Sequence, residues 1–267
     1  HWPKLDDMSV VNATSPSMPT PLPGSLSVSV VVYRLNASEL ARNLQTLRVA
    51  SDRLANAKVT LTLIDNSETS ELAAPLRTIA TEARWREVEI ISGHGNVGYG
   101  AGHNLAVRAT TCEAHLVLNP DVEMDAGALA SGLVTLATNG VVLVGAVGRD
   151  AAGAPGYLSK RMPSVWIFFL RGFAPTWIKR RFDATLAHYE YRDLPTDRVS
   201  DVTLVSGAFM LCRSDALRAV GGFDERYFLH FEDLDLSVRM HALGRVVSDP
   251  GVTIVHHGGH AAKRGLA

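Results

Sequence analysis

The chain has little cysteine and no excess of either charge. Its 267 residues include 2 cysteines, Cys112 and Cys212, whose separation fits neither a metal motif nor a redox pair. We therefore expect both to be small buried residues of a reducing compartment. Lysine and arginine number 26 and aspartate and glutamate 27, so the formal net charge is −1. This balance lacks the basic footprint of nucleic-acid-binding proteins, and we expect no nucleic-acid partner.

Long hydrophobic runs are also absent. The longest apolar stretch, VWIFFLRGFAPTWI at residues 165–178, is interrupted by Arg171 and Pro175, and it is too short to span a bilayer. Residues 1–24 lack the basic segment and apolar run of a signal peptide, and their Pro, Ser and Thr content is typical of a flexible leader. We therefore expect a cytoplasmic location and a single domain over residues 25–267.

Apolar runs alternate with helix-like patterns along most of the chain. Runs rich in β-branched residues predict strands, and apolar residues at helical spacing predict helices between them. The predicted strands are residues 26–33, 59–64, 88–91, 115–118, 141–147, 202–211 and 252–255. The predicted helices are one capped by Ser38, residues 72–83, 98–109 and 122–138, and one within residues 221–244. This order predicts an α/β fold, Rossmann-like, with a mostly parallel central sheet flanked by helices and an insert near residues 150–200.

Polar residues follow several predicted strands, at the edge where open α/β sheets bind ligands. Asp65 ends one strand and precedes Asn66 and Ser67. This residue alone favours an Asx turn that leaves the sheet. The functional alternative is a carboxylate that accepts N–H bonds from a nucleobase.

The segment GHGNVGYGAGHN at residues 93–104 is rich in glycine and lies between a strand and a helix. Such a loop lets the backbone approach a ligand closely, and the N–H groups of the following helix favour phosphate. Gly93, Gly95 and Gly98 also satisfy the G-x-G-x-x-G fingerprint, with Asp121 as a candidate ribose acid. A NAD-dependent oxidoreductase is therefore an open alternative.

The tripeptide Asn119-Pro120-Asp121 places oxygen ligands at the end of another predicted strand. Asp121 could cap the following helix. It could instead supply one carboxylate to a divalent cation that diphosphate oxygens and water also bind. An imidazole from His256 or His257 would favour Mn²⁺ over Mg²⁺. Zinc held by these histidines and His260 is the weaker alternative, since no His-Glu-x-x-His pattern is present.

Residues 221–244, GGFDERYFLHFEDLDLSVRMHALG, place Glu232 and Asp233 at the start of a predicted helix. Acids at a helix N-terminus complement the helix dipole and cap free N–H groups. One acid would satisfy that structural role. Two adjacent carboxylates after an aromatic run indicate a carboxylate held in a pocket as a base. Spacing alone leaves both interpretations open.

Taken together, five ordered motifs resemble the family 2 glycosyltransferases of the GT-A fold, particularly the bacterial rhamnosyltransferase-like branch. The motifs are SVSVVVYRLN, LIDNS, GNVGYGAGHN, LNPD, and GGFDERYFLHFEDLDLSVRMHALG followed by His256. The resemblance covers about residues 26–260. It implies a single GT-A domain with glycosyltransferase activity.

The resemblance also implies a role for each matching residue. Asp233 would be the catalytic base, Glu232 would position an acceptor hydroxyl, and Asp121 and His256 would bind the metal. The implied donor-binding residues are Asp65, Asn96, Gly98, Tyr99, Gly100, Asn104 and Asn119. The family's Asp-x-Asp motif appears here with Asn119 in its first position, so one carboxylate is missing. The Thr-Tyr-Asn that usually follows the first strand is also absent.

The implied reaction is a metal-dependent, inverting sugar transfer in cell-surface polysaccharide synthesis. One base without a second carboxylate nucleophile implies a single displacement. The branch favours dTDP-rhamnose as the nucleotide-sugar donor, with UDP-sugars next, a glycan or lipid-linked acceptor, and Mn²⁺ or Mg²⁺ as the cation. Because Asn119 replaces a carboxylate, a non-catalytic nucleotide-sugar-binding module is a further alternative.

The predicted insert combines aromatic and basic side chains, among them Trp166, Trp177 and the run Lys179-Arg180-Arg181. This composition suits a lipid-linked glycan at the inner leaflet, and it predicts an acceptor site or a peripheral membrane contact. Ordinary packing of the aromatic residues against the sheet is the alternative.

Overall fold

A computed structural model describes residues 21–257, apart from Asn56 and Ala151. The strands are β1 Ser25–Val32, β2 Lys58–Asp65, β3 Val88–Ile91, β4 Ala114–Leu118, β5 Val122–Met124, β6 Val141–Arg149, β7 Pro155–Gly156, β8 Ser159–Lys160, β9 Ser200–Asp201, β10 Leu204–Val205, β11 Phe209–Arg213 and β12 Arg245–His256. The helices are α1 Ala37–Asp52, α2 Ala73–Glu82, α3 Tyr99–Ala109, α4 Ala128–Leu136, α5 Val165–Gly172, α6 Thr176–Arg181, α7 Asp183–Tyr189, α8 Ser214–Ala219 and α9 Glu232–His241. Most of the predicted leader, and His260, lie outside the described residues.

One large sheet carries the fold, with strand order β3-β2-β1-β4-β11-β6-β12-β5. Strands β1 to β4 pair in parallel, as do β6 and β12, whereas β11 runs antiparallel to both β4 and β6. The predicted α/β fold with a mostly parallel central sheet is confirmed. Because parallel strands end at the same edge, the residues that follow β2, β4 and β12 come together there.

The centre of the sheet is buried on both faces. All five residues of β4 and the last seven of β1 are buried, because helices cover the sheet on each side. Helix α1 contributes Leu40, Leu44 and Leu47 to this core, and each is at most 1% exposed. Burying one such leucine stabilises the fold by about 1.5–3 kcal/mol. The core therefore gives the strand ends a rigid base.

Two predicted helix boundaries are wrong. Helix α1 is capped by Asn36 and not by Ser38, since the Asn36 side chain accepts a hydrogen bond from Glu39 N. The predicted helix over residues 122–138 begins only at Ala128. Its first residues form β5, which pairs antiparallel with β12. Asp121 is therefore not the cap of that helix.

The predicted strand over residues 202–211 is broken at Ser206 and Gly207. Strand β10, on one side of the break, pairs with β8, whereas β11 on the other side joins the main sheet. The last strand is longer than the predicted residues 252–255, since it starts at Arg245. The break directs the backbone of Gly207 toward the edge where the predicted site residues lie.

The predicted insert folds as three short helices, α5 to α7. It has a small apolar cluster of its own, formed by Ile167, Leu170, Ala174, Leu186 and Tyr189. Among the described residues, every helix is too short or too polar to cross a bilayer.

A buried polar contact joins α3 to the centre of the sheet. The Ser29 hydroxyl lies 2.7 Å from His103 Nδ1 and 2.9 Å from His115 Nε2. Burial lowers the pKa of His115 to about 4. Burial, and then the charge of His115, lowers the pKa of His103. Both imidazoles are therefore neutral near neutral pH, and they hold the start of α3 against β1 and β4.

The low pKa of His115 predicts a loss of stability in acid. The unfolded chain binds a proton at His115 near pH 6.5, whereas the folded chain does so only near pH 4. The stability linked to neutral His115 should be complete above about pH 6.5 and should fall as the pH approaches about 4. His115→Gln should lower the free energy of unfolding at neutral pH by about 1–3 kcal/mol and flatten this pH dependence in urea titrations.

The matched control for this experiment is His188→Gln, because His188 is exposed on α7. That variant should keep the wild-type dependence of the unfolding free energy on pH. A His115→Gln variant with the same acid slope as wild type would contradict the assignment.

Candidate active site

Tyr99, the first residue of α3, lies at the centre of the sheet edge. Its hydroxyl is 2.8 Å from Asn119 Oδ1, at the end of β4, and 2.8 Å from the Gly207 carbonyl oxygen. Its ring packs edge-on against His103, with centroids 4.5 Å apart. Burial raises the pKa of Tyr99 well above its usual value, and the charges of Asp233, Glu232 and Asp121 raise it further. The three predicted acids therefore all lie near enough to this phenol for their charges to act on it.

The glycine-rich loop reaches Tyr99 through a backbone conformation that only glycine adopts readily. Gly98 has φ +90°, and a Cβ there would clash with the carbonyl oxygen of Phe228. Gly98 N donates to Asn96 Oδ1 at 3.1 Å, and Tyr99 N donates to Phe228 O at 3.1 Å. These N–H groups are satisfied within the protein, so the prediction that they bind phosphate is wrong for these two positions.

The same geometry does not favour a dinucleotide site at Gly93, Gly95 and Gly98. In dinucleotide-binding folds the fingerprint follows a central first strand, and the pyrophosphate sits at the start of the next helix. Here the fingerprint follows β3, which is the edge strand of the sheet. The start of α3 is closed by the Phe228 carbonyl.

Asp65 forms the Asx turn that its position favours. It is 0% exposed. Its Oδ1 accepts bonds from the Ser67 amide at 3.0 Å and the Ser67 hydroxyl at 2.6 Å, and its Oδ2 accepts from Leu72 N at 2.9 Å. These bonds fix the orientation of the Asp65 carboxylate, and its contact with a nucleobase stays a prediction.

Asn66 is a residue of the site that the sequence did not single out. Its side-chain amide donates to Asn96 Oδ1 at 3.0 Å and to Gly98 O at 3.2 Å, and its Oδ1 accepts from Val97 N at 3.2 Å. These bonds fix the glycine-rich loop to the end of β2. The available signal was its place in a polar run directly after a strand.

Gly100 and Asn104 hold α3 against the turn before α9, and their predicted contacts with a donor stay a prediction. A Cβ at Gly100 would lie 2.8 Å from Phe223 Cβ, so the glycine allows close packing of α3. The Asn104 amide donates to Phe223 O at 2.8 Å and to Glu225 at 2.9 Å, and its Oδ1 accepts from Phe223 N at 2.8 Å. Arg239 on α9 donates to Gly222 O at 2.8 Å. The turn before α9 is thus held from both sides.

Asp121 and His256 form a pair whose facing atoms lack hydrogen-bond partners. Asp121 Oδ1 lies 3.4 Å from His256 Nε2, and both atoms are buried and unpartnered among the described residues. The pairing of His256 with Val122 brings the two side chains together across β12 and β5. A carboxylate oxygen and an imidazole nitrogen suit a divalent cation with mixed ligands. The donor set therefore fits the predicted metal.

The neighbouring residues limit this set to two protein ligands. Asn119 Oδ1 is used by the Tyr99 hydroxyl, and His257 Nε2 lies 2.7 Å from Glu123 Oε1. Within the part of the chain that the structure describes, no group of three or more His, Cys, Asp or Glu side chains could hold a metal. The zinc alternative is therefore not supported for His256 and His257.

The start of α9 presents the two remaining acids. His230 and Phe231 both have φ +70°, a left-handed conformation that is uncommon outside glycine and typical of strained functional turns. Asp233 Oδ2 accepts a bond from Gly207 N at 2.9 Å, and its Oδ1 accepts from Leu234 N at 2.8 Å. Glu232 is 6% exposed, and its Oε2 is unpartnered among the described residues.

Burial makes both acids more basic than usual. Burial raises the pKa of Glu232 to about 7, and the charge of Asp233 adds to this effect. Burial also raises the pKa of Asp233, although the Gly207 N–H bond opposes the change. A carboxylate with a raised pKa is suited to accept a proton near neutral pH. The arrangement therefore combines a candidate base with a candidate cation pair around Tyr99.

Residues 27–221 match the family model described as Glycosyl transferase family 2. The chain belongs to this family. It is therefore a glycosyltransferase, and the resemblance stated from the sequence motifs is confirmed. Family membership gives no support to the oxidoreductase alternative.

Curated relatives of this family 2 glycosyltransferase point to the predicted branch. The chain is 30% identical over 259 residues to N-acetylglucosaminyl-diphospho-decaprenol L-rhamnosyltransferase of Mycobacterium tuberculosis, covering 90% of this chain and 78% of the relative. It is 27% identical over 245 residues to the O-antigen biosynthesis protein RfbC of Myxococcus xanthus, covering 89% of this chain and 18% of that protein.

Solved structures show the same fold. The mannosyltransferase PcManGT from Pyrobaculum calidifontis, in complex with GDP-Man and Mn²⁺, superposes with a TM-score of 0.64 at 17% identity. The alignment covers 92% of this chain and 59% of that one, so this glycosyltransferase spans about three fifths of its length. GalNAc-T7 with UDP, GalNAc and Mn²⁺ has a TM-score of 0.62 at 13% identity, covering 87% of this chain and 43% of that one. The GT-A fold is confirmed.

Tyr99→Phe tests whether the Tyr99 hydroxyl holds the site together. The variant keeps the ring packing and removes the link between Asn119 and Gly207. We expect the free energy of unfolding to fall by about 1–2 kcal/mol, and sugar transfer to slow because Gly207 N–H also positions Asp233. The measurements are urea unfolding and initial rates of transfer.

Tyr157→Phe, at a part-exposed tyrosine between β7 and β8, is the matched control and should behave as wild type. Unchanged stability and rate in Tyr99→Phe would show that the link is dispensable.

Proposed function

We propose that this glycosyltransferase transfers L-rhamnose from dTDP-rhamnose, with inversion, to a lipid-linked glycan in cell-surface polysaccharide synthesis. The observation that carries the proposal is the arrangement around Tyr99. The Tyr99 hydroxyl lies 2.8 Å from Asn119 Oδ1, two residues before Asp121 of the Asp121–His256 pair. It also lies 2.8 Å from the carbonyl oxygen of Gly207, whose N–H donates to Asp233 of the acid pair. One pair suits the diphosphate of a donor and the other suits the hydroxyl of an acceptor.

On the donor side, Asp121 and His256 would hold a divalent cation, Mn²⁺ or Mg²⁺. When bound, the cation supplies positive charge that stabilises the departing nucleoside diphosphate. With two protein ligands, the remaining coordination positions suit diphosphate oxygens and water. Asn96 and Asn66 shape the loop beside this pair, and Asn119 holds Tyr99.

On the acceptor side, Asp233 takes the proton of the attacking hydroxyl. The acceptor oxygen forms the new bond to the anomeric carbon while the bond between that carbon and the diphosphate oxygen breaks. The Gly207 N–H keeps Asp233 oriented, and Glu232 beside it accepts a hydrogen bond from the acceptor. A single displacement of this kind inverts the anomeric centre.

The donor and acceptor classes are supported by the relatives. The Mycobacterium tuberculosis relative is named as an L-rhamnosyltransferase acting on N-acetylglucosaminyl-diphospho-decaprenol. A dTDP-sugar is therefore the first candidate donor and a UDP-sugar the second. A lipid-linked acceptor would place the enzyme in the cytoplasm, at the inner face of the membrane.

A non-catalytic nucleotide-sugar-binding module is the second candidate. It is favoured by one observation, namely that Asn119 replaces a carboxylate and turns its side-chain oxygen to Tyr99. The two candidate functions differ in whether the donor is converted to free nucleoside diphosphate when acceptor is present. A binding module would bind the donor but release no nucleoside diphosphate.

The first test is calorimetric titration with dTDP, UDP, GDP and NAD⁺, each with and without Mn²⁺. We expect one nucleoside diphosphate to bind tightly only with Mn²⁺, and Asp121→Ala or His256→Ala to weaken that binding at least about tenfold, because each removes one of two protein ligands.

His257→Gln is the matched control, because His257 is adjacent but bonded to Glu123. Metal-independent binding, or unchanged affinity in Asp121→Ala, would reject the metal assignment. If NAD⁺ bound and no nucleoside diphosphate did, the result would favour the oxidoreductase alternative.

The second test concerns Asp233. Asp233→Asn keeps the shape of the side chain but cannot take a proton, so transfer should fall by at least about a hundredfold while donor binding survives. Initial rates and donor titrations measure the two effects separately. Asp197→Asn, an exposed aspartate between α7 and β9, is the control. Wild-type turnover in Asp233→Asn would remove Asp233 from the mechanism.

A further inference from the structure

The insert exposes a continuous set of large apolar side chains. Phe173 is 76% exposed and Trp177 71% exposed. The set consists of Val165, Trp166, Phe168, Phe169, Phe173 and Trp177, and we call it the insert face. Exposed apolar patches of this kind mark surfaces that contact a membrane or another molecule.

Packing within the insert does not account for these residues. Helix α5 turns Ile167 and Leu170 inward, where they are 4% and 0% exposed and join the small apolar cluster. Trp166 and Phe169 stack on each other, and Trp166 also packs against Phe182 beside that cluster, yet both side chains stay at least 40% exposed. The alternative of ordinary packing therefore applies to the inner side of α5 only.

The insert face is bordered by positive charge. Arg171, Lys179, Arg180 and Arg181 lie in the same segment, and residues 165–181 contain no acid. The chain as a whole has a formal net charge of −1, so this concentration of cations is local. Arginine and lysine beside exposed aromatic residues match the anionic surface and the interfacial layer of a bilayer.

The insert face continues toward the candidate active site. The Phe168 ring packs edge-on against Phe231, with centroids 5.6 Å apart. Phe231 directly precedes Glu232, and it is 48% exposed. In the same loop Phe228 is 56% exposed, and its carbonyl accepts the bond from Tyr99 N. Apolar surface therefore extends from α6 to the loop that presents the acids.

We propose that the insert face docks on an anionic bilayer, with the aromatic side chains in the interfacial layer and the basic side chains on the lipid headgroups. At eight residues, α5 is suited to lie in the plane of the surface instead of crossing it. Docking in this way sets the start of α9 at the bilayer surface. Resting on the proposed function, this position brings a lipid-linked acceptor to Asp233.

Co-sedimentation with vesicles tests the docking. The probes are vesicles of phosphatidylcholine alone and vesicles of phosphatidylcholine with phosphatidylglycerol. Wild type should bind the second kind, and high salt should weaken this binding because the charges become screened. Phe173→Ser with Trp177→Ser, and separately Arg180→Glu with Arg181→Glu, should each reduce partitioning at least about tenfold.

Two matched controls keep the test specific. Val134→Ser removes an exposed apolar residue of α4, which is 59% exposed. Arg77→Glu with Arg86→Glu reverses two exposed charges near α2. Both should bind the anionic vesicles as wild type does. All the substituted side chains are exposed, and circular dichroism with thermal unfolding confirms that the variants fold.

The outcomes separate docking from catalysis. Docking variants should keep wild-type rates on a water-soluble acceptor and lose rate on an acceptor embedded in anionic vesicles. The proposal would be overturned if wild type did not bind anionic vesicles, or if the docking variants bound them as well as wild type does. Wild type could instead form a dimer and fail to bind vesicles. If Phe173→Ser with Trp177→Ser dissociated that dimer, the insert face would be the contact with a second copy of the chain. If wild type transferred sugar to neither acceptor, the proposed function would be rejected instead.

Discussion

The hydroxyl of Tyr99 is the contact on which the site depends. It lies between Asn119, at the end of β4, and the Gly207 carbonyl, in the break between β10 and β11. The N–H of the same Gly207 holds Asp233. A phenol oxygen thus joins the end of β4 to the break that holds Asp233. A Cβ at position 207 would lie 3.3 Å from Tyr99 Cε1 and 3.5 Å from Asp233 Cβ, so glycine leaves this contact uncrowded.

Around this contact the structure accepts a local cost in stability. Buried carboxylates are unfavourable when charged, and burial raises the pKa of Glu232 and of Asp233. Among the described residues, Asp121 and Glu232 each have a buried carboxylate oxygen without a hydrogen-bond partner, which also lowers stability. Perturbed acids in one place are characteristic of functional sites, because a ligand or proton satisfies them during the reaction. The apolar core under the site offsets this cost.

The surface near the site has the opposite character. The insert face is apolar and basic, and its contact with Phe231 joins it to the loop that presents Glu232 and Asp233. A polar site beside an apolar surface suits the reaction that we propose, between a water-soluble donor and an acceptor anchored in lipid. Asn104 and Arg239 bond to the turn before α9. This turn fixes the position of the site relative to the insert face.

The sequence by itself determined the α/β alternation, the family and the segments that meet at the sheet edge. Apolar periodicity and strand-end acids are local signals, so Asp121, His256 and Asp233 could be named from them. Tertiary structure alone decided that Val122–Met124 is a strand, since pairing with β12 overrides a helical pattern. It also decided the hydrogen-bond partners of Asp65 and Asn104, the close packing at Gly100 and the bonds by which Asn66 fixes the glycine-rich loop. Those roles depend on which partners long-range contacts bring within hydrogen-bond distance, and residue order does not encode such distances locally.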